Sequence, residues 1–188
     1  MDPLKALFLL YDGYVDWEIS PLSYILSVTN CEVETTALQS EVTHCGQFTV
    51  NVTKTIDECV ADEYDLFIIP GGDPEPLLEE RQILNLIQEF DQKNKWIAAI
   101  CGASTFLGRS SVLREREYST SIEIEDFPTC FDPAYKSKAD VTVCENLITA
   151  EGNAYVEFAV AVGKELALFE DREDELETVL FFKNQLRS

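Results

Sequence analysis

The chain of 188 residues is 46% hydrophobic and carries 35 acidic against 14 basic side chains, a formal net charge of −21 at pH 7. The hydrophobic fraction excludes a disordered or fibrous protein, and the length predicts a single domain over residues 1–188. A surface this negative repels the phosphates of nucleic acids and of anionic membranes, so we expect neither as a partner.

Apolar runs and helical patterns alternate along the first third of the chain. Residues 4–10 form a continuous apolar run that predicts a buried strand. Residues 16–28 space their apolar side chains as a helix does, and Asp16 is placed to cap that helix. Alternation over residues 32–38 predicts a second strand, and the Thr- and Val-rich segment 43–52 predicts a hairpin.

The same alternation continues along the rest of the chain. We predict further strands at residues 66–69, 96–100, 141–143 and 147–149, and further helices at residues 77–90, 104–113, 154–169 and 171–186. Strands that alternate with helices predict an α/β fold, a doubly wound and mostly parallel sheet sandwiched between helices. Because ligands of such folds bind beyond the carboxyl ends of the strands, the loops at these ends form the candidate site.

The segment from Trp96 to Ser104 runs from a buried strand into a helix with no spacer. A nucleophile on so tight a turn needs small residues two positions before and after it, and Ala99 and Ala103 satisfy this around Cys101. The amino terminus of the following helix would lower the pKa of a thiol there. Cys101 is therefore a candidate catalytic nucleophile. The alternative is a buried cysteine at a strand end whose small neighbours serve packing.

Glycines after two of the predicted strands are candidate donors to a negatively charged oxygen. Gly71 and Gly72 follow Pro70 after one strand, and Gly102 follows Cys101 after the next. Backbone N–H groups that converge on one crevice form an oxyanion hole. We therefore expect Gly71, Gly72 and Gly102 to bind an oxyanion; the alternative for the Gly-Gly pair is a simple turn.

Glu18 lies at the start of the helix that follows the first strand. We expect the end of that strand to lie beside the end of the strand before Cys101, which would bring the carboxyl group close to the thiol. There it would act as a general acid/base or, when protonated, hydrogen-bond the thiolate. The alternative is an acidic residue that complements the helix dipole. The crevice loops add four candidate pocket residues, which are Tyr14, Asp16, Trp17 and Asp73.

Histidine and cysteine are too few or wrongly spaced for the common metal sites. The single histidine, His44, excludes a site with paired histidines, and no two cysteines form a Cys-x-x-Cys pattern. We therefore predict no metal and no other cofactor, and we interpret His44 as a surface residue. The sequence shows no secretory-signal pattern and no apolar stretch long enough to span a membrane, so we expect reduced thiols and a cytoplasmic location.

Four segments carry a further signal in their order and spacing. They are LFLLYDG at residues 7–13 with Trp17-Glu18, DLFIIPGG at 65–72, AAICGA at 98–103, and NLITAEG at 146–152 with Glu157-Phe158-Ala159. Together they resemble the ThiJ/PfpI superfamily, the class I glutamine-amidotransferase-like proteins, over nearly the whole chain. The resemblance implies a flavodoxin-like fold, usually dimeric, with Cys101 nucleophilic or oxidisable beside Glu18. It also implies that Gly72 and Gly102 are the oxyanion donors.

The chain departs from the superfamily pattern at one position. Protease- and amidase-like members usually carry histidine immediately after the cysteine, whereas this chain has Gly102 there. The resemblance therefore implies a branch in which the cysteine acts with a carboxyl group. A protease that pairs cysteine with histidine is not expected.

Three functions remain open on this basis. The first is a cysteine-dependent hydrolase or lyase acting on a small electrophile of the aldehyde, amide or isocyanide class, with Cys101 as nucleophile and Glu18 as proton shuttle. The second is a redox sensor or stress-protective protein that is oxidised at Cys101. The third is a binding module that keeps the crevice without the chemistry. We expect the first, with a small-molecule substrate and a homodimeric assembly.

Overall fold

The computed structural model describes residues 3–185 of the chain. The strands are β1 (Lys5–Leu9), β2 (Glu32–Ala37), β3 (Glu41–Thr43), β4 (Thr49–Asn51), β5 (Lys54–Thr55), β6 (Leu66–Ile69), β7 (Trp96–Ile100), β8 (Val141–Cys144) and β9 (Leu147–Ala150). The helices are α1 (Asp16–Val28), α2 (Arg81–Gln92), α3 (Ser104–Arg109), α4 (Tyr155–Glu165) and α5 (Arg172–Phe182).

Seven strands form the central sheet in the order β5-β2-β1-β6-β7-β9-β8. All neighbours are parallel except β8, which pairs with β9 in the antiparallel direction. The strands β3 and β4 form a separate antiparallel hairpin. Helix α1 packs on α4, and α2 packs on α3. The predicted α/β fold, with a mostly parallel sheet between helices, is confirmed.

The central strands are apolar because helices cover both faces of the sheet. Every residue of β6 and β9 is buried, and only the first residue of β1 and of β7 is partly exposed. Continuous burial of this kind is typical of parallel sheets. In the sheet, β2 lies on one side of β1, and β6, which comes later in the chain, lies on the other side. The loops after β1 and β6 therefore separate and leave a crevice at their carboxyl ends.

Four helix ends differ from the predicted bounds by four residues. Helix α2 begins four residues later than predicted because residues 75–77 form a short 3-10 turn after Pro74. Helices α3 and α4 each end four residues early, before Ser111 (φ 69°) and Ala167 (φ 52°), whose left-handed backbone cannot continue a helix. The last helix was predicted to end at residue 186, which lies outside the described residues, but it already ends at Phe182, before Asn184 (φ 53°). Within residues 3–185, no helix combines the length and hydrophobicity needed to cross a membrane.

Candidate active site

Cys101 lies at a sharp turn between β7 and α3. Its backbone φ of 59° falls in the left-handed region that non-glycine residues rarely adopt. Residues 101–103 form a 3-10 turn that continues directly into α3. Ala99 and Ala103 are fully buried on either side, so their small side chains permit the turn. The strained backbone costs roughly 1–3 kcal/mol, and it presents the half-buried thiol at the end of the sheet.

Glu18 brings a carboxyl group to the same point from the first turn of α1. The residue is only 2% exposed. Its Oε2 atom accepts a hydrogen bond of 2.8 Å from the Gly71 amide, and the carboxyl group lies beside the Cys101 side chain. The structure thus brings together two side chains that are far apart in sequence, and β1, β6 and β7 set their spacing.

Two glycines leave the space in which the thiol and the carboxyl group meet. A Cβ atom on Gly71 would lie 2.2 Å from Oε2 of Glu18 and 2.7 Å from Cβ of Cys101. A Cβ atom on Gly152 would lie 2.7 Å from Oε1 of Glu18 and 3.1 Å from Sγ of Cys101. A larger residue at either position would displace one of the two side chains, so their contact depends on both glycines.

The three glycines predicted to bind an oxyanion differ in their surroundings. The Gly71 amide already donates to Glu18, so it holds the carboxyl group rather than a substrate. Gly72 has a φ of 142°, and its amide donates no hydrogen bond to another backbone group of residues 3–185. The Gly102 amide is directed at the Cys101 sulfur, and a Cβ on Gly102 would lie 2.5 Å from the Gly72 carbonyl oxygen. Gly72 and Gly102 therefore remain the candidate donors.

The thiol and the carboxyl group titrate as a pair. Burial and the neighbouring Glu18 carboxylate raise the pKa of Cys101 to about 11, against the opposing effect of the Gly102 amide and the Ser121 hydroxyl. Burial also raises the pKa of Glu18, although hydrogen bonds with Cys101 and Gly71 act in the other direction. Because two negative charges repel each other in a buried site, ionisation of either group opposes ionisation of the other. The predicted lowering of the Cys101 pKa by the helix terminus is wrong, since burial and Glu18 outweigh the six-residue α3.

The raised pKa of Glu18 predicts a pH-dependent change in stability. A carboxyl group whose pKa is higher in the folded than in the unfolded protein stabilises the fold fully at pH values below its ordinary pKa of 4.5. This stabilisation is lost as the pH rises through the pKa of the folded protein. Glu18→Gln, which is neutral and of similar shape, should therefore raise the midpoint of thermal unfolding at pH 8. The rise should be about 2–4 °C for each kcal/mol recovered, and it should be smaller at pH 4.

Thermal unfolding of both proteins at the two pH values measures this effect. Glu34→Gln is a control of opposite sign, because hydrogen bonds from Tyr64 and Lys54 lower the pKa of Glu34. It should lower the unfolding midpoint more at pH 8 than at pH 4. A Glu18→Gln variant that loses stability at pH 8 would contradict the prediction.

Three residues at the site were missed by the sequence analysis. The hydroxyl of Ser121 accepts a 2.8 Å hydrogen bond from the Gly152 amide and also bonds to the thiol. The hydroxyl of Tyr11 donates to the Pro70 carbonyl at 2.9 Å, and its ring faces Gly72. Gly152 belongs to the NLITAEG segment, whose resemblance could have indicated its place. Ser121 lies in an irregular stretch whose sequence gave no signal.

Two of the four candidate pocket residues, Asp73 and Trp17, lie at the periphery of the site. Asp73 is exposed and lines, with Tyr11 and Leu77, a mainly apolar cavity of about 230 Å³ whose lining includes neither the thiol nor the carboxyl group of the site. Trp17 is 49% exposed and packs edge-on against Tyr155, with ring centroids 5.3 Å apart. Asp73 therefore belongs to a neighbouring cavity, and Trp17 lies at the surface beside the site.

The other two candidates, Tyr14 and Asp16, face the β3–β4 hairpin. Val15 occupies the N-cap of α1, so the prediction that Asp16 caps this helix is wrong. Oδ1 of Asp16 instead lies 3.2 Å from Nδ1 of His44, and the Tyr14 ring lies 5.6 Å from the imidazole between centroids. His44 is only 6% exposed, so its interpretation as a surface residue is also wrong. Tyr14 and the hairpin residue Phe48 pack against its ring.

The fold and the site together define a class of protein. It has a mostly parallel sheet between helices, a cysteine on a strained strand-to-helix turn, and a buried carboxyl group beside the thiol. Residues 4–165 match the DJ-1/PfpI family. The chain belongs to this family, and the resemblance inferred from the sequence is confirmed.

Named relatives and solved structures agree with this assignment. The chain is 30% identical over 183 residues to "Uncharacterized protease YoaZ" of Bacillus subtilis, covering 90% of this chain and 86% of that protein. It is 28% identical over 125 residues to "Deglycase TK1284" of Thermococcus kodakarensis, covering 65% of this chain and 75% of that protein. The solved thiJ/pfpI family protein from Bacillus anthracis is 25% identical, with a TM-score of 0.86 over 98% of this chain and 92% of that one.

Proposed function

We propose that the protein is a cysteine-dependent hydrolase or lyase that acts on a small electrophile of the aldehyde, amide or isocyanide class. The observation that carries this proposal is the position of the buried Glu18 carboxyl group beside the Cys101 thiol at the strained turn. A thiol with a raised pKa needs a base to become nucleophilic. Glu18 is in contact with the proton that must be removed.

For a carbonyl substrate the proposed reaction begins with attack by Sγ of Cys101. A C–S bond forms, the π electrons move to the substrate oxygen, and the thiol proton passes to Glu18. The Gly72 and Gly102 amides would donate hydrogen bonds to that oxygen. With an amide, the C–S intermediate then collapses to a thioester as the C–N bond breaks and Glu18 gives its proton to the departing amine. Water completes the reaction by hydrolysing the thioester.

The names of the relatives support a reaction at a cysteine, but they do not identify the substrate. Two relatives are named proteases, and others are named deglycases. A mechanism that pairs cysteine with histidine is not supported for this chain, because Gly102 follows Cys101. Moreover, the contacts of His44 are with Asp16 and the hairpin rather than with the thiol.

The pH dependence of Cys101 alkylation tests the proposed proton sharing. We expect two steps in the rate, a first one above the ordinary carboxyl pKa of 4.5 and a second one near pH 11, because two coupled groups lose two protons. Glu18→Gln should show a single step below pH 11, because no carboxylate charge then opposes the thiolate. Mass spectrometry of the Cys101 peptide after timed exposure to iodoacetamide gives the rates.

The control for this experiment is Glu157→Gln, which removes an exposed carboxyl group on α4 and should keep both steps. The Cys144 peptide from the same digest provides an internal reference, since this residue lies on the edge strand β8. If wild type and Glu18→Gln both showed one step at the pKa of about 8.5 of an ordinary thiol, the proposed pair would be refuted.

A second candidate function is protective or regulatory oxidation of Cys101. The Gly102 amide and the Ser121 hydroxyl point at the sulfur, and both would also stabilise oxygen atoms added to it. Mild peroxide treatment followed by mass spectrometry separates the two functions. The addition of one or two oxygen atoms to the Cys101 peptide at low peroxide would favour oxidation, and an unmodified peptide would exclude it.

We also propose that the chain forms one domain and assembles as a homodimer in the cytoplasm. One hydrophobic core runs from β1 to α4, which supports a single domain. Tyr24 on α1 is 51% exposed and stacks on Phe181 of α5, which is 58% exposed, so a second copy has apolar surface to cover. All six cysteines are free thiols, which supports a reducing compartment.

A further inference from the structure

Three metal-ligating side chains of different chemistry meet where α1 contacts the β3–β4 hairpin. Oδ1 of Asp16 lies 3.2 Å from Nδ1 of His44. The same oxygen accepts a hydrogen bond from the Cys45 thiol, with 3.3 Å between Oδ1 and Sγ. The three ligand atoms all lie within 4.8 Å of one another. This Asp16–His44–Cys45 cluster is separate from the thiol–carboxyl site, and the proposed function does not use it.

The hydrogen bonds of the cluster leave two acceptors facing each other. The Gly46 amide donates to Nδ1 of His44 at 2.9 Å, so Nδ1 carries a lone pair and no proton. Nδ1 and Oδ1 of Asp16 are therefore two acceptors 3.2 Å apart with no hydrogen between them. Two lone pairs that face each other at this distance make the contact unfavourable. A cation bound to both atoms would resolve it.

We propose that the Asp16–His44–Cys45 cluster binds a divalent cation of the Zn²⁺ type. Zinc combines thiolate, imidazole and carboxylate ligands at about 2.0–2.3 Å, which places the ligand atoms of a tetrahedral site about 3.3–3.7 Å apart. The separations of 3.2 and 3.3 Å from Oδ1 of Asp16 to the other two ligand atoms are close to this range. Three protein ligands leave the fourth position to water.

The surroundings hold the ligands in place. The His44 ring packs against Tyr14 and Phe48, with centroid distances of 5.6 and 5.2 Å. The Cys45 amide donates to the Tyr14 carbonyl at 2.9 Å, and the His44 amide donates to the Phe48 carbonyl at 3.1 Å. His44 is buried whereas Cys45 is exposed, so an ion has access from the Cys45 side. The net charge of −21 raises the local concentration of cations.

Binding has a defined proton balance. A Zn–S bond forms, and the Cys45 thiol proton leaves to solvent. Nδ1 is already unprotonated, so it exchanges the hydrogen bond from Gly46 for a bond to the metal. No electron transfer is involved. The spacing of the three residues follows no common zinc motif, which explains why the sequence predicted no metal.

Calorimetric titration of the chelator-treated, full-length protein with Zn²⁺ tests the proposal. We expect one ion per chain, with about one proton released, measured from the dependence of the enthalpy on the buffer. Cys45→Ser, a change at an exposed position, should weaken binding by at least about tenfold, since the loss of even a supporting residue costs that much. Co²⁺ should give a thiolate charge-transfer band in the wild type that Cys45→Ser lacks.

Two matched variants test whether the ion binds at this cluster rather than at another cysteine. Cys144→Ser and Cys101→Ser should both retain the Zn²⁺ affinity and the Co²⁺ band of the wild type. Failure of the wild type to bind Zn²⁺ would overturn the proposal, as would an unchanged affinity in Cys45→Ser. Loss of binding in Cys101→Ser alone would place the ion at the thiol–carboxyl site and would also overturn it.

Discussion

Cys101→Ser should lower kcat/KM by at least about 10³-fold, because the loss of a nucleophile removes the covalent step. A serine hydroxyl is a much weaker acid than a thiol, and the Glu18 carboxylate beside it is too weak a base to activate it. The assay uses whichever of methylglyoxal, a simple amide or an isocyanide the wild type converts. Thermal unfolding should change little, since the two side chains are similar in size.

The matched control is Cys144→Ser, which makes the same chemical change on the edge strand β8. It should keep the activity of the wild type. Turnover at the wild-type rate by Cys101→Ser would remove Cys101 from the mechanism. If activity were lost in both variants, the effect would come from the fold and not from the nucleophile.

Gly71→Ala should lower activity by about 10²-fold or more, the scale expected when a catalytic group is displaced by about 1 Å. The added Cβ would lie 2.2 Å from Oε2 of Glu18 and 2.7 Å from Cβ of Cys101. Cys101 is held by the backbone of the turn, so the carboxyl group must move. Overpacking of this kind costs about 1–3 kcal/mol, and the unfolding midpoint should fall by about 2–4 °C for each kcal/mol.

Gly13→Ala serves as the control for the Gly71 variant. Gly13 has a φ of 81°, so alanine strains the backbone there, but no atom lies within 4 Å of the added Cβ. This variant should lose some stability while keeping its activity. If Gly71→Ala kept wild-type activity, the close contact between the thiol and the carboxyl group would not be required for the reaction.

The central strands β1, β6, β7 and β9 were predicted to within about two residues because helices bury both faces of the sheet there. The two-residue edge strand β5 was not predicted. In a strand such as β6, every side chain must be apolar, so the run of hydrophobic residues begins and ends with the strand itself. Helix ends were less predictable. Ser111 and Ala167 end α3 and α4 through a left-handed backbone, which their side chains do not indicate.

The candidate site was predictable where glycine or alanine had to be present for steric reasons. The turn at Cys101 requires small neighbours, and that requirement is visible in sequence. Ser121 could not be predicted because tertiary structure alone brings its irregular segment to the Gly152 amide. The burial of His44 was equally hidden, since it depends on Tyr14 and Phe48 from separate segments packing against one ring.

The site is assembled from segments that follow four different strands of the central sheet: Glu18 after β1, Gly71 after β6, Cys101 after β7 and Gly152 after β9. Strand β9 is the last strand of the described chain and pairs with β7, the strand that carries the thiol. During synthesis the ribosome therefore releases the cysteine well before the strand that completes its surroundings. Until β9 docks, a nascent chain can hold the thiol but not its finished environment, so the contact between Cys101 and Glu18 is complete only at the end of folding.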